Sequence, residues 1–435
     1  RAALDELTLA DDGVDGESIY LYGEGWNFGE VADDARFVQA TQKHMGDGTG
    51  IGTFNDRIRD AVRGGAHDDR GIAHVRSQGF VNGLYTDPNA EGSGDADERD
   101  GLLQLADLIR ASLAGNLSDF RFVDRRGNEV PASAIDYHGQ PAAYASDPQE
   151  TIQYAAAHDN ETLFDINQYK LPVDTPMADR VRAVNLANSI VMLAQGVPFF
   201  HAGQELLRSK SLDRNSFDSG DWFNPLDFSL QDNGWARGLP PAWDNLDNWP
   251  VAAPLLADPA LEPATGHIRA ALTHFEELLQ IRMSSPLFRL RTAQAVARSL
   301  AFHNTGPDQA PGLIVMSLAD ESGTLVGYIV NFQDLSEVEL EMDRQRLQER
   351  MAAIGEMAAR MASLTTVSSP PPRRAPTAPR TRCRPAARVG CARCSPPTAC
   401  RCCCATAPAP GWRRCMPAGA GCRRECWRRR SRPWR

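Results

Sequence analysis

"IYLYGEGWNFGEV", residues 19–31, sets a short apolar run, Ile19 to Tyr22, against a carboxylate, Glu24, flanked by glycines and followed by Trp26. A brief apolar segment closed by turn residues is how a buried parallel strand presents itself in sequence. Glu24 then stands where that strand runs out. The same grammar recurs downstream. Ile51–Gly52–Thr53–Phe54 reads as a second strand, with "NDRIRDAV" as the turn and short helix behind it. "ERDGLLQLADLIRASLA" (98–114), "ADRVRAVNLANSIVML" (178–193) and "HIRAALTHFEELLQIRMS" (267–284) carry apolar residues at helical spacing. "TIQYAAAHDNETL" (151–163) is an extended run ending in the polar cluster His158, Asp159, Asn160, Glu161. Strand, polar loop and helix in alternation predict an α/β fold with a parallel sheet. After residue 290 the rhythm changes to short alternating runs, "SLAFHN", "GLIVMSL" and "TLVGYIVNF", which predict a small antiparallel β domain. From 338 to 364 the pattern turns helical again.

The net charge of −10 conceals a division. Residues 369–435 hold 17 Arg against the single acid Glu425, a charge of +16, so residues 1–368 carry −26. An acidic body of that size repels nucleic acid and anionic membrane surfaces, which argues against both as partners. A neutral, hydroxyl-rich substrate is compatible with it. All ten cysteines lie between Cys383 and Cys426, so the body has no disulfides and suits either redox compartment. The tail has the CxxC Cys391/Cys394, yet no His follows His303 and the later cysteines are too crowded for tetrahedral spacing. Its Arg/Pro/Ala/Cys composition fits disorder or an out-of-frame reading of GC-rich DNA. The chain opens without Met, on what reads as the second half of a helix, and is taken as a fragment. It has no run of apolar residues long enough to span a bilayer.

Side chains at the C-terminal ends of parallel strands are placed for chemistry. Glu24, the pair His158 and Asp159, and the pair His201 and Glu205 all qualify. Any one acid after a strand is ordinarily a helix cap or a solvated loop residue. Two carboxylates on strand ends, with Trp26 to offer a flat face to a sugar ring, suit cleavage of a glycosidic bond.

Four segments, "YGEGWN" (22–27), "GTGIGTFNDRIRDAVRGG" (48–65), "AHDNETLFDINQYKLP" (157–172) and "ELLRSKSLDRNSFDSGDWFN" (205–224), follow one another in an order and spacing that resembles pullulanase-type debranching enzymes of the α-amylase clan. The likeness is to the C-terminal half of such an enzyme and runs from residue 1 to about 335. It implies that residues 1–288 are strands five to eight of a (β/α)8 TIM barrel, that 289–365 are an incomplete C-terminal β domain, and that 366–435 are the disordered or out-of-frame tail. It also implies Glu24 as the general acid/base and Asp159 as the catalytic carboxylate that grips sugar hydroxyls, with Trp26, His158 and Asn160 contacting substrate. The implied activity is retaining hydrolysis of α-1,6-glucosidic branches in pullulan, glycogen or limit dextrins. No cofactor is required, although some members bind calcium through ligands that this sequence does not identify. Phe217 stands where relatives often have Tyr.

The family's nucleophile, an aspartate in an Arg-Phe-Asp type motif on the strand before the acid, has no counterpart ahead of Glu24. Arg121–Phe122–Val123–Asp124 has one residue too many and lies in a turn on the wrong side of Glu24. The expectation is therefore an inactive and poorly soluble chain. The alternative is an α-glucan-binding remnant that holds sugar without cleaving it.

Overall fold

The computed structural model describes residues 2–332. The helical pattern expected at 338–364 and the Arg/Cys tail lie outside the described residues. β1 (Tyr22–Gly23) and β2 (Gly52–Phe54) pair in parallel, Tyr22 opposite Gly52. Two small hairpins follow, β3 (Arg121–Val123) with β4 (Glu129–Pro131), and β5 (Asp136–Tyr137) with β6 (Gln140–Pro141). β7 (Thr151–Gln153) returns to lie parallel beside β2, and β8 (Val197–Pro198) lies parallel beside β7. The sheet order is thus β1-β2-β7-β8 with every strand running the same way. All four C-terminal ends consequently open on one side.

The connections between these strands are helical, as parallel pairing demands. Helix Asp56–Arg63 follows β2, with Asn55 as its cap: the Asn55 side chain accepts from Arg57 N–H at 3.1 Å. Helix Ala96–Leu113 starts on Asp95, whose carboxylate accepts from the N–H groups of Asp97 and Glu98. Helices Leu163–Lys170 and Met177–Leu193 fill the crossover from β7 to β8, and helix Thr265–Ser284 packs back on Met177–Leu193. Their inward stripes, including Ile58, Val62, Leu102, Ile109, Ile166, Val184 and Ile190, form one apolar core.

β9 (Leu300–His303), β10 (Leu313–Ala319) and β11 (Leu325–Phe332) form the antiparallel sheet that the alternating runs predict, with β10 in the middle. Ile314, Met316 and Leu318 alternate along β10 and point into the same core. Phe302 meets Phe120 and Phe122 edge-on, each at 6.0 Å, which ties this sheet to the β3–β4 hairpin.

Two segments depart from expectation: of the extended run read at 151–163 only Thr151–Gln153 is strand, and the first strand is not buried. The run Ile19–Tyr22 reads as a buried strand, yet only Tyr22–Gly23 is extended and paired, and Tyr20 and Tyr22 are 37% and 55% exposed. β1 is the terminal strand of its sheet, and among the described residues no further strand pairs with its outer edge. The apolar residues are those of an interior strand in an edge position.

Candidate active site

Glu24 follows β1 directly, and the chain must then turn at once. Gly25 does so at φ +76°, with its carbonyl accepting from Gln42 N–H at 2.9 Å. A Cβ there would sit 2.7 Å from Thr53 Cγ2, so the turn lies flat against β2 and only glycine fits. Trp26 comes next and is held through its carbonyl by Gln39 Nε2 at 3.2 Å. From the other strand, the backbone beyond β7 passes through buried Ala155 and Ala156 before emerging at His158.

These segments meet around a cavity of about 350 Å³ lined by Glu24, Trp26, Phe54, Tyr154, His158, Asp159 and Asn160, among others. One atom each of Glu24, His158 and Asp159 lies within 4.8 Å of the others. His158 Nε2 is 3.5 Å from Asp159 Oδ1, and both side chains are mostly exposed, at 74% and 65%. These side chains thus face solvent; the segment leading to His158 is buried, whereas the strand before Glu24 is exposed. The five residues that the family resemblance implies, Glu24, Trp26, His158, Asp159 and Asn160, all line this one cavity.

The framework is polar and specific. Asn160, at φ +60°, donates from Nδ2 to the His67 carbonyl at 2.8 Å, and Arg214 donates to the same carbonyl at 2.7 Å. Glu161 is wholly buried and receives Arg63 Nη2 at 3.3 Å, with His74 Nε2 also 3.3 Å away. Burial lowers the pKa of both Arg63 and His74, and the Glu161 carboxylate opposes that shift. On the floor, Arg59 donates to Tyr154 OH at 2.9 Å and to Asp60 at 2.6 Å, while Phe54 stands edge-on to Tyr154 and Phe199, each at 5.0 Å. Asp56, a third carboxylate on the cavity wall, is engaged by Gln42 Nε2 at 3.0 Å and by the Arg57 guanidinium.

Sequence reasoning passes over Arg59, Arg63 and Tyr154. The available signal is the spacing of Arg59 and Arg63 on the first helix after β2, which puts both on one face of that helix. Conversely, His201 and Glu205 follow β8 but are not among the residues lining this cavity. His201 Nε2 accepts from Arg208 Nη1 at 3.2 Å; burial first, and then Arg208, push its pKa down to about 4. Asp124 is a turn residue, accepting the N–H groups of Arg126 and Asn128 at 2.9 and 2.8 Å. Phe217 is 81% exposed and edge-on to Trp243 at 5.4 Å. As a calcium site the Glu24/His158/Asp159 cluster does not fit. Calcium takes six to eight oxygens, and this set offers two carboxylates and an imidazole nitrogen.

Exposed carboxylates and a tryptophan thus stand together at the C-terminal mouth of a parallel α/β sheet. Residues 230–361 match the family model of alpha-1,6-glucosidases, pullulanase-type, C-terminal. The chain is 51% identical to pullulanase 1, chloroplastic, of Arabidopsis thaliana over 322 residues, covering 74% of this chain and 33% of that protein. It is 43% identical to the pullulanase of Klebsiella pneumoniae over 302 residues, 69% of this chain and 27% of that one. The crystal structure of a maltotriose complex of PulA from Klebsiella pneumoniae superposes with a TM-score of 0.67 at 40% identity, over 72% of this chain and 33% of that chain. PulA from Klebsiella oxytoca superposes with a TM-score of 0.66 at 42% identity, over 70% of this chain and 28% of that chain. The chain is therefore a homologue of the pullulanases over about 70% of its length and carries their C-terminal family domain. It spans 27–33% of the length of these relatives.

Proposed function

We propose that the chain contributes the acid and the sugar-gripping side of a debranching site for α-1,6-linked glucans. The observation that carries this is the meeting of Glu24, His158 and Asp159 within 4.8 Å beside Trp26, in a chain homologous to pullulanases. The four parallel strands, taken in chain order across the sheet, support their reading as strands five to eight of a (β/α)8 barrel, followed by a C-terminal β domain. In the proposed chemistry Glu24 protonates the glycosidic oxygen as the bond breaks and later takes a proton from water. Asp159 holds ring hydroxyls and faces the oxocarbenium charge, and Trp26 supports the apolar face of a glucose ring. His158 and Asn160 contact the sugar from the same loop.

A retaining reaction also needs a nucleophilic carboxylate to trap the sugar covalently. Asp56 is the remaining acid on this cavity wall, and it is committed to Gln42 and Arg57. The reading is therefore that this chain binds glucan without turning it over. In native gels containing glycogen the protein should be retarded, and Trp26→Ala or Asp159→Ala should relieve most of the retardation. Incubation with pullulan should release no new reducing ends. Turnover at rates typical of glycosidases would sink the claim of inactivity, and migration unaffected by glycogen would sink the claim of binding.

A further inference from the structure

We propose that Lys210 is a positioning residue for the glucan site, holding the loop that presents His158 and Asp159; this role rests on the debranching reading of that site. Lys210 is 1% exposed, and its ammonium donates to the carbonyl oxygens of Asn160 at 2.7 Å and His158 at 3.4 Å. Those carbonyls belong to the residues on either side of Asp159. With both turned inward onto one cation, the Asp159 side chain is left facing the cavity. Asn160 sits at φ +60°, a conformation that needs such over-determination to persist.

Lys210 is itself fixed from below. Its backbone N–H donates to Asp165 Oδ2 at 2.7 Å, and the neighbouring Ser209 hydroxyl donates to Asp165 Oδ1 at 2.5 Å. Asp165 lies fully buried in the first turn of helix Leu163–Lys170, where its own N–H is capped by Thr162. A chain of contacts thus runs from a helix start, through a buried carboxylate and a buried ammonium, to the two carbonyls that frame Asp159. An apolar side chain of the same length would fill the volume without the desolvation cost of a charge. What the ammonium adds is direction to the loop.

The test uses the full chain with maltotriose as probe, titrated calorimetrically. Lys210→Met should weaken binding about tenfold, as expected for coupled groups in one network. In an Asp159→Ala background the same substitution should change affinity by less than about twofold, because the residue it positions is gone. Equal losses in the two backgrounds, or no loss in either, would overturn the proposal. If Lys210→Met gives no cooperative melt, Lys210→Gln, which keeps an N–H donor, takes its place. Failure of both to fold also overturns it, since Lys210 would then hold the fold and not the loop. Should the unsubstituted chain not bind maltotriose, the glucan reading fails on its own account. Amide exchange then decides the loop: faster exchange confined to residues 158–161 in the variant supports the role, and unchanged exchange refutes it.

Discussion

Glu24 and Asp159 are both exposed, and His201, by contrast, is partly buried and has a chemistry better suited to structure than to catalysis. Its Nε2 accepts from the Arg208 guanidinium, so the folded chain requires a neutral imidazole. Its pKa, depressed to about 4 against an ordinary 6.5, has a definite consequence. The stability it contributes is fully present above pH 6.5 and is lost as pH falls towards and through about 4. The melting temperature should accordingly drop by a few degrees across that window. His201→Gln, which keeps an acceptor and cannot titrate, should flatten the drop; an unchanged pH profile would count against the assignment. At this scale the sequence was informative where a residue follows a strand, which is how Glu24, His158 and Asp159 are found. Burial is what it hides. Arg59, Arg63 and Lys210 carry no local sign of burial, and only the packing of distant segments turns them inward.

Among the elements, helix Ala96–Leu113 shows how a periodic apolar face can coexist with a charge in the core. Asp107 and Arg110 are fully buried and paired at 2.7 Å. Arg110 also donates to Gln309 Oε1 at 2.6 Å and to the Asn304 carbonyl at 2.9 Å, both in the loop between β9 and β10. The helix is thereby fastened to the antiparallel sheet. Asp107→Ala would strand a buried guanidinium and should cost about 3–5 kcal/mol in urea unfolding; a loss below about 1 kcal/mol would show that solvent reaches the site. The three long helices, Ala96–Leu113, Met177–Leu193 and Thr265–Ser284, were legible to within a few residues because their apolar spacing is long and regular, whereas the shorter Leu163–Lys170 was not read. β1 was legible as a strand but not as an exposed one. Tyr20 and Tyr22 stack on each other at 5.9 Å, and nothing in their order distinguishes an edge strand from an interior one.

For the molecule as a whole, the parallel sheet ends at β1 on one side and β8 on the other, each without a further strand partner among the described residues. Near β1, Tyr22, Phe28, Phe37 and Val38 are 55–72% exposed. Unpaired strand edges beside apolar side chains promote self-association. We expect light scattering to show mass rising steeply with protein concentration; a monodisperse monomer at high concentration would refute this. The same feature bears on how function would be lost. Glu24 follows a two-residue strand bonded on one side only, whereas Asp159 follows a strand enclosed between two others. Local opening is easiest where few backbone bonds must break. The two carboxylates thus belong to regions of unequal resilience, and mild denaturant should separate them while most of the molecule remains folded.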